Sequence, residues 1–189
     1  MAYKMANEQD YKKCLGFLLE SEGGFNHIPG DAGGPTNCGI SLRFLAGTGD
    51  YDLGDLDRDG DIDIDDIRRM DPERASRIYK KYFWNFFPME EIPAQIAYVL
   101  FDVAVNSGHK TAARLLQNAL NVKPDGCIGP QTLYAIQLRD SAYNVAEAML
   151  IRRKQQYVSY VTRNPELSKF LKGWLNRVDH ARKNLFKLG

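Results

Sequence analysis

The sequence predicts a mainly α-helical protein with one irregular or short β-rich segment near its N-terminus. Apolar residues recur at helical spacing along most of the 189 residues, and glycine and proline interrupt this pattern at only a few places. Between residues 25 and 39, Gly, Pro and Asn are too frequent for a helix. The length suits one domain, or one domain with a small appended module.

The individual helices follow from caps and breaks. Asn7, with Asp10 three residues later, predicts the start of the first helix, which Gly23-Gly24 ends. Asp71-Pro72 is a cap followed by proline at the first helical position, and it predicts a helix through Tyr82. Further helices are predicted over residues 92–105, 111–120, from Pro130 onward, and over about 142–162 and 173–186.

Composition excludes several classes of protein. The net charge of +1 argues against a nucleic-acid binder, and no apolar run approaches the roughly 18–20 residues of a membrane span. The first ten residues lack the apolar stretch of a signal peptide. Three scattered cysteines suit a reducing compartment, although one disulfide with one free thiol stays open. We expect a monomer without a nucleic-acid partner or stable membrane insertion.

The charges are distributed unevenly. Residues 50–66 contain nine Asp and one Arg, whereas residues 150–189 contain ten Lys or Arg against two acidic residues. The acidic block predicts a bound cation. The basic block either faces an anionic polymer or is a solvated helical face.

Residues 55–66 match the twelve-residue EF-hand loop, with Gly60 at the sharp turn and an Asp at the last position, as in dockerin-type loops. The candidate ligands are Asp55, Asp57, Asp59, Asp61 and Asp66. Converging carboxylates repel one another without a cation, so we expect a structural Ca²⁺ that pins an insertion at about residues 50–70. The alternative is a solvated acidic loop without metal. Catalysis requires no cofactor on this interpretation.

Glu22 follows directly after the first predicted helix, Asp31 comes nine positions later and Thr36 five beyond that. Acid-catalysed glycoside cleavage needs one group that donates a proton and others that hold and polarise a water. The helix dipole and partial burial would both disfavour the carboxylate of Glu22 and so keep it ready as a general acid. The alternatives are a helix-end carboxylate without a role for Glu22, a turn-forming Asp31, and a Thr36 that bonds the loop backbone.

Five further residues are candidates for contact with a sugar. Asn106 ends a predicted helix, where its side-chain amide either holds an N-acetyl group or caps the helix. The other candidates are the large aromatic residues Trp84, Tyr98, Phe101 and Trp174. Each of them either stacks on a sugar ring or belongs to the core.

These motifs together resemble the N-acetylmuramidases of glycoside hydrolase family 108, also described as secretion activators. The resemblance rests first on Glu22-Gly23-Gly24 and on the pattern Asp31-x-Gly33-Gly34-x-Thr36-x-x-Gly39-Ile40. The family's C-terminal peptidoglycan-binding part is similar to Val105-Asn106-Ser107-Gly108, Ala112, Leu116-Gln117, Asp125-Gly126, Ile128-Gly129-Pro130 and Thr132-Leu133. A motif near the family's C-terminal end resembles Gly173-Trp174-Leu175-Asn176-Arg177.

The resemblance implies a lysozyme-like α+β fold and hydrolysis of the β-1,4 bond between N-acetylmuramic acid and N-acetylglucosamine in peptidoglycan glycan strands. Glu22 matches the family's catalytic glutamate. Residues 1–95 would form the catalytic part and residues 96–189 a helical peptidoglycan-binding part. Rival interpretations are a lytic transglycosylase, a non-catalytic wall-binding or secretion-associated protein, and a calcium-triggered interaction module.

The expected place of action is the cell wall. Because no signal peptide is visible in the sequence, we expect synthesis in a bacterial or phage-infected cytoplasm and action on the wall or periplasm after release. This route suits an endolysin.

Overall fold

The computed structural model describes residues 3–27 and 34–188, and these residues are mainly helical with one two-stranded antiparallel sheet. The predicted fold class is thereby confirmed. The chain divides into two compact units, one of Met1–Cys14 with Phe83–Gly189 and one of Leu15–Tyr82. We call them the helical unit and the hairpin unit. The predicted functional division at about residue 95 stays a prediction.

Helix α1 (Glu8–Ser21) begins and ends where the sequence predicts. Asn7 Oδ1 accepts hydrogen bonds from the backbone N–H groups of Gln9 and Asp10 at 2.9 and 3.2 Å. Asp10 Oδ2 in turn accepts a hydrogen bond from the N–H of Asn7 at 3.1 Å. This reciprocal capping box satisfies N–H groups that the first helical turn leaves without a partner.

The hairpin unit begins with the second half of α1 and continues with the sheet. Strands β1 (Thr36–Asn37) and β2 (Ile40–Ser41) pair antiparallel. The helices that follow are α2 (Leu42–Thr48), α3 (Tyr51–Gly54), α4 (Ile64–Arg69) and α5 (Pro72–Tyr79), and α5 runs on into a π-helical turn over Lys80–Trp84.

Side-chain caps explain where two of these helices start. The Asp71 carboxylate accepts a hydrogen bond from the N–H of Arg74 at 2.8 Å, and Pro72 occupies the first turn of α5, as predicted. Ser41 Oγ accepts a hydrogen bond from the N–H of Phe44 at 3.2 Å and caps α2 in the same way. The chain therefore passes from β2 directly into a helix.

Five longer helices build the helical unit. They are α6 (Ala94–Ser107), α7 (His109–Leu120), α8 (Pro130–Gln137), α9 (Ala142–Arg163) and α10 (Ser168–Leu185). Short 3₁₀ turns lie at Met89–Glu91, Pro165–Leu167 and Phe186–Leu188. Helix α6 contacts α7, α9 and α10 and is buried along most of its length, which makes it the centre of this core.

The sequence predicts no helix at α2, α3 or α4, and among the helices that it does predict the start of α10 differs most. It begins at Ser168 rather than at residue 173, and Gly173 lies inside it. A glycine in a helix costs only about 1 kcal/mol relative to alanine, so packing on the neighbouring helix overrides it. Pro165 opens the 3₁₀ turn before α10, which agrees with the predicted break.

Two expectations about the chain as a whole concern membranes and cysteines. Within residues 3–27 and 34–188, no helix combines the length and the apolar character that crossing a membrane requires. Cys14, Cys38 and Cys127 all carry free thiols. Burial raises the pKa of the Cys14 thiol far above its usual value, so this group stays protonated.

Candidate functional site

Glu22 lies at the C-terminal end of α1, as predicted. Its backbone N–H donates to the carbonyl oxygen of Leu19 at 3.2 Å and closes the last turn. The residue is half-buried, whereas the Gly23-Gly24 pair after it is exposed. The side chain is therefore held at the end of a helix and partly screened from water.

The β1–β2 hairpin is built to make a tight turn. Cys38 and Gly39 connect the strands with φ angles of 49° and 74°. Positive φ at both central residues is typical of the two-residue turn that matches the twist of paired strands. The buried side chain of Asn37 donates to the carbonyl oxygens of Ile67 and Met70, both at 3.0 Å, and so ties the hairpin to the end of α4.

The Glu22 carboxyl group packs directly against this turn. A Cβ added at Gly39 would lie 2.8 Å from Glu22 Cγ and 2.9 Å from Glu22 Cδ. It would also lie 2.5 Å from the phenol oxygen of Tyr79. The backbone at Gly39 thus approaches the carboxyl group more closely than any residue with a side chain would allow.

Tyr79 holds the other side of the turn. Its hydroxyl donates to the carbonyl oxygen of Cys38 at 3.0 Å, and its side chain is 1% exposed. The turn therefore lies between a fixed phenol and the Glu22 carboxyl group. Sequence reasoning missed Tyr79, because nothing local relates it to Cys38, 41 positions away along the chain.

Thr36 lies on the same hairpin. It stands opposite Ser41 in the sheet and exchanges two backbone hydrogen bonds with Asn26, both at 2.8 Å. Asn26 belongs to the segment that leaves Glu22, so this bridge holds that segment beside β1. Asp31 lies outside the described residues, and its predicted role stays a prediction.

Asn106 lies near the end of α6, but its side chain does not cap that helix. Asn106 Oδ1 accepts hydrogen bonds from Arg153 Nη2 and from the Tyr157 hydroxyl, both at 3.0 Å. The cap position belongs to Gly108, whose N–H donates to the carbonyl oxygen of Ala104 at 2.8 Å. The residue itself is exposed. Its carbonyl group is therefore fixed by α9 while the residue remains accessible to solvent.

Three of the four candidate aromatic residues belong to the core of the helical unit. Trp84 is 6%, Tyr98 1% and Phe101 0% exposed. Trp84 and Phe101 pack edge to face at 5.6 Å, and both contact the ring of Tyr11. These side chains are buried among other core residues rather than exposed to solvent. In this structure they therefore belong to the core and are not accessible to a sugar.

Trp174 is the half-buried exception. Its ring stacks on Tyr157 with centroids 5.0 Å apart, and Phe170, which is 47% exposed, stacks on Trp174 at 5.9 Å. Because Tyr157 also donates to Asn106, the structure brings two of the predicted sugar-contacting residues together around one tyrosine.

The acidic loop of residues 55–66 connects α3 and α4 in the hairpin unit. Six of its seven acidic side chains form two groups, and within each group the carboxylate oxygens lie within 4.8 Å of one another. The groups are Asp55, Asp57 and Asp59, and Asp61, Asp63 and Asp66. The structure therefore adds Asp63, at loop position 9, to the predicted ligand set.

One carboxylate oxygen of this loop is buried without a hydrogen bond. Asp57 Oδ1 has no such partner among the described residues, and Asp57 Oδ2 lies 3.5 Å from Arg69 Nη2. Asp66 is fully buried and accepts hydrogen bonds from the N–H groups of Leu56 and Asp63. A buried carboxylate oxygen without a donor costs free energy unless a cation binds it, and an all-oxygen set suits Ca²⁺. The residues present fit a calcium ion.

The neighbouring charges of the loop also act on one another. Burial raises the pKa of the Asp57 carboxyl group, and the charge of Asp59 raises it further. The charge of Asp59 is also the main reason that the pKa of Asp61 is raised, followed by burial and by the charge of Asp63. A cation would relieve this repulsion.

Comparisons with known proteins cover both halves of the chain. The family model described as Glycosyl hydrolase 108 matches residues 15–108, and the one described as Predicted Peptidoglycan domain matches residues 111–179. Among solved structures twelve chains match. One is the structure of SagA from Brucella abortus, with a TM-score of 0.78 and 26% identity over 96% of this chain and 97% of that chain. No curated protein sequence matches the chain.

Proposed function

Because residues 15–108 place the chain in the glycosyl hydrolase 108 family, and residues 111–179 match a peptidoglycan domain, we propose that it hydrolyses peptidoglycan. The family match confirms the resemblance that the sequence motifs indicate. The bond cleaved in this proposal is the β-1,4 bond between N-acetylmuramic acid and N-acetylglucosamine.

The observation that carries the proposal is the position of Glu22. Its carboxyl group lies at the end of α1 against the Gly39 turn, inside the region that the glycosyl hydrolase 108 model matches. A general acid has to be held in one place within hydrogen-bond reach of the oxygen that leaves. The turn and the helix end together restrict where this carboxyl group can go.

In the proposed mechanism Glu22 protonates the glycosidic oxygen as the bond to the sugar breaks. Thr36, on the hairpin next to Glu22, and Asp31 position a water molecule or stabilise the positive charge that develops on the sugar ring. If they position a water, the Glu22 and Asp31 carboxyl groups lie about 6.5–9.5 Å apart and the product is inverted.

The test is the loss of turbidity of purified peptidoglycan sacculi, followed by mass spectrometry of the released fragments. Wild-type protein is compared with Glu22→Gln, which keeps the shape of the side chain but removes the ionisable proton. Glu20→Gln is the matched control, because Glu20 is an exposed glutamate in the last turn of α1.

We expect wild type and Glu20→Gln to clear the suspension and to release fragments with a reducing N-acetylmuramic acid end, whereas Glu22→Gln does not. Fragments lighter by one water, with an anhydro end, would identify a lytic transglycosylase instead. Clearing that survives Glu22→Gln would contradict the role of Glu22. Binding of sacculi without any clearing would make the chain a wall-binding protein.

We further propose that the loop of residues 55–66 binds one structural Ca²⁺. The support is the buried Asp57 Oδ1 without a hydrogen-bond donor and the two groups of three carboxylates, within each of which the oxygens lie within 4.8 Å of one another. The ion would hold the loop between α3 and α4 and take no part in the cleavage step. Titration calorimetry of chelator-treated protein should show heat on addition of calcium, and no heat at millimolar calcium would contradict the site.

The place of action is part of the same proposal. The match to a peptidoglycan domain supports peptidoglycan as the partner of this chain. The hydrolase would then act on the wall or periplasm after release from the bacterial or phage-infected cell that makes it.

A further inference from the structure

A groove of about 450 Å³ runs along helix α8 in the helical unit. Ile128, Leu133 and Tyr134 supply apolar walls, and Glu91 and Gln137 supply polar groups. A concave surface that combines an aromatic ring with a few polar side chains is typical of a binding site for a small polar molecule.

The outer face of α8 is unusually apolar for a surface. Tyr134 in α8 is 62% exposed, and Leu138, the residue at the C-terminal cap of this helix, is 64% exposed. Single exposed apolar residues are common, so the observation that supports a site is that the exposed ring of Tyr134 lines the groove.

The segment that leads into α8 comprises an inner half, Asp125-Gly126-Cys127, and an outer half, Ile128-Gly129-Pro130. The inner half has a clear structural role. Gln117 is 1% exposed, and its Nε2 donates to Asp125 Oδ1 at 2.7 Å and to the carbonyl oxygen of Cys127 at 2.8 Å. Gln117 Oε1 accepts a hydrogen bond from the N–H of Gly126 at 2.9 Å, and Thr132 Oγ1 lies 3.3 Å from Nε2. We call this set of bonds the Gln117 clip. It holds the loop before α8 rigid.

The outer half of the same segment, Ile128-Gly129-Pro130, takes no part in the Gln117 clip and lines the groove. Gly129 has an extended backbone with φ −113° and ψ −172°, which any residue adopts. A Cβ added there would meet nothing within 4 Å. Neither conformation nor internal packing therefore requires glycine at this position, whereas the close approach of a bound molecule would.

We propose that the groove along α8 binds N-acetylhexosamine units of the peptidoglycan glycan strand. The inference rests on the proposed function, because the match of residues 111–179 to a peptidoglycan domain is what identifies the occupant. The ring of Tyr134 stacks on the apolar face of a sugar, Gln137 bonds its polar substituents, and Gly129 lets the strand approach the backbone.

The charge of the groove favours the sugar over the peptide part of the wall. Glu91 is the charged side chain in its lining, and a carboxylate there repels the carboxylates of stem peptides. The N-acetylglucosamine units of the strand carry no carboxylate, whereas an N-acetylmuramic acid unit carries a lactyl carboxylate once its stem peptide is removed. The site thus selects the uncharged N-acetylglucosamine units.

The experiment measures retention of the full-length protein on purified sacculi by pelleting, with every variant in the Glu22→Gln background so that the wall is not digested. Tyr134→Ala removes the stacking ring. Gly129→Val places a side chain where the glycan strand would approach the backbone, and the extended conformation at this position accepts valine without strain. Tyr51→Ala is the matched control, because Tyr51 is 55% exposed on a helix of the hairpin unit. Thermal melting shows that each variant is folded.

We expect Tyr134→Ala and Gly129→Val to weaken binding by at least about tenfold, as the loss of a central aromatic contact typically does, and Tyr51→Ala to leave it unchanged. Soluble oligomers of N-acetylglucosamine, which carry no carboxylate, should compete for the Tyr134-dependent binding, whereas the free stem peptide should not. Equal retention of Tyr134→Ala and Tyr51→Ala, or competition by the peptide alone, would overturn the inference.

Two further measurements separate this inference from the proposed function. With Glu22 intact, Tyr134→Ala should lose more activity on sacculi than on short soluble glycan fragments, and an equal loss on both substrates would point to the catalytic site instead. Analytical ultracentrifugation detects the rival occupant. A wild-type dimer that Tyr134→Ala converts to monomer, with wall binding unchanged, would assign the groove to a second copy of the chain.

Discussion

The Glu22 carboxyl group lies directly beside the backbone of Gly39. This is possible because Gly39 has a hydrogen atom where every other residue has a Cβ. Gly39 also has a φ angle of 74°, which side chains rarely tolerate. Two independent reasons therefore require glycine at this position. One concerns the turn, and the other concerns the carboxyl group next to it.

At the residue scale we predict that Gly39→Ala displaces the Glu22 carboxyl group and lowers hydrolysis of sacculi by about a hundredfold, since a misplacement of about 1 Å in an active site has effects of that size. Gly23→Ala is the matched control, because a Cβ there meets nothing within 4 Å. The rate and the melting temperature are measured for both variants.

Tyr79→Phe tests whether the turn positions the Glu22 carboxyl group, without placing a new side chain at Gly39. It removes the part-buried hydrogen bond to the Cys38 carbonyl oxygen, and the loss of such a bond costs about 0.5–1.5 kcal/mol. We expect kcat to fall while KM stays close to the wild-type value. Wild-type activity of a folded Gly39→Ala protein would show that the turn does not position Glu22.

At the scale of elements, the loop of residues 55–66 gathers acidic side chains between two short helices. Asp63 and Asp66 of this loop form the capping box of α4, so the loop and the start of that helix depend on each other. A cation bound to the loop would therefore stabilise α4 as well as the loop itself.

We predict that calcium raises the melting temperature of chelator-treated protein. At a free concentration of about 100 times Kd, binding adds about 2.7 kcal/mol, or about 5–10 °C for a chain of this length. Differential scanning calorimetry checks this. Asp57→Asn should abolish the shift, and Asp52→Asn, exposed and outside the loop, should retain it. An identical shift in both variants would argue against the site.

A second element-scale prediction concerns the Gln117 clip before α8. The N–H of Cys127 and the amide of Gln117 lower the pKa of the Asp125 carboxyl group. A lowered folded-state pKa means that the unfolded chain binds more protons, so the stabilisation is present above pH 3.8 and is lost as the pH falls below it.

Chemical denaturation between pH 2 and pH 7 checks this prediction. Asp125→Asn should be less stable than wild type at pH 7 and should lose less stability on acidification. Glu166→Gln, at an exposed residue, controls for the removal of one carboxylate. Equal acid sensitivity of wild type and Asp125→Asn would contradict the role of the clip.

At the scale of the whole molecule, the basic C-terminal block is partly neutralised within the fold. Arg177 pairs with Asp102 at 3.0 Å, and Arg182 pairs with Glu147 at 2.7 Å. Both acids lie outside residues 150–189. Arg177 and Arg182 therefore join helices, which favours the structural interpretation of these two arginines over contact with an anionic polymer.

At the scale of the whole molecule, the three free thiols predict how the protein responds to reducing agent. Because Cys14, Cys38 and Cys127 are unpaired, reducing agent should leave the melting temperature unchanged. Cys127 is exposed, so any effect of oxidation should appear as a cross-linked dimer on a non-reducing gel and disappear in Cys127→Ser. A lower melting temperature in reductant would show that a disulfide contributes to stability.

The sequence by itself determined the features whose causes are local. The capping box at Asn7, the Asp71-Pro72 helix start, the helix end before Glu22 and the spacing of the acidic loop all depend on residues a few positions apart. Capping and turn formation act over such distances, so their patterns can be recognised in the chain before it folds.

Only the tertiary structure decided which surfaces meet. The contact of Glu22 with Gly39, the bond from Tyr79 to Cys38 and the burial of Trp84 join segments that are distant along the chain. An aromatic residue at helical spacing suits a core and a sugar-binding surface equally well. Packing alone determines which of its faces is buried, because burial depends on what the rest of the chain brings against it.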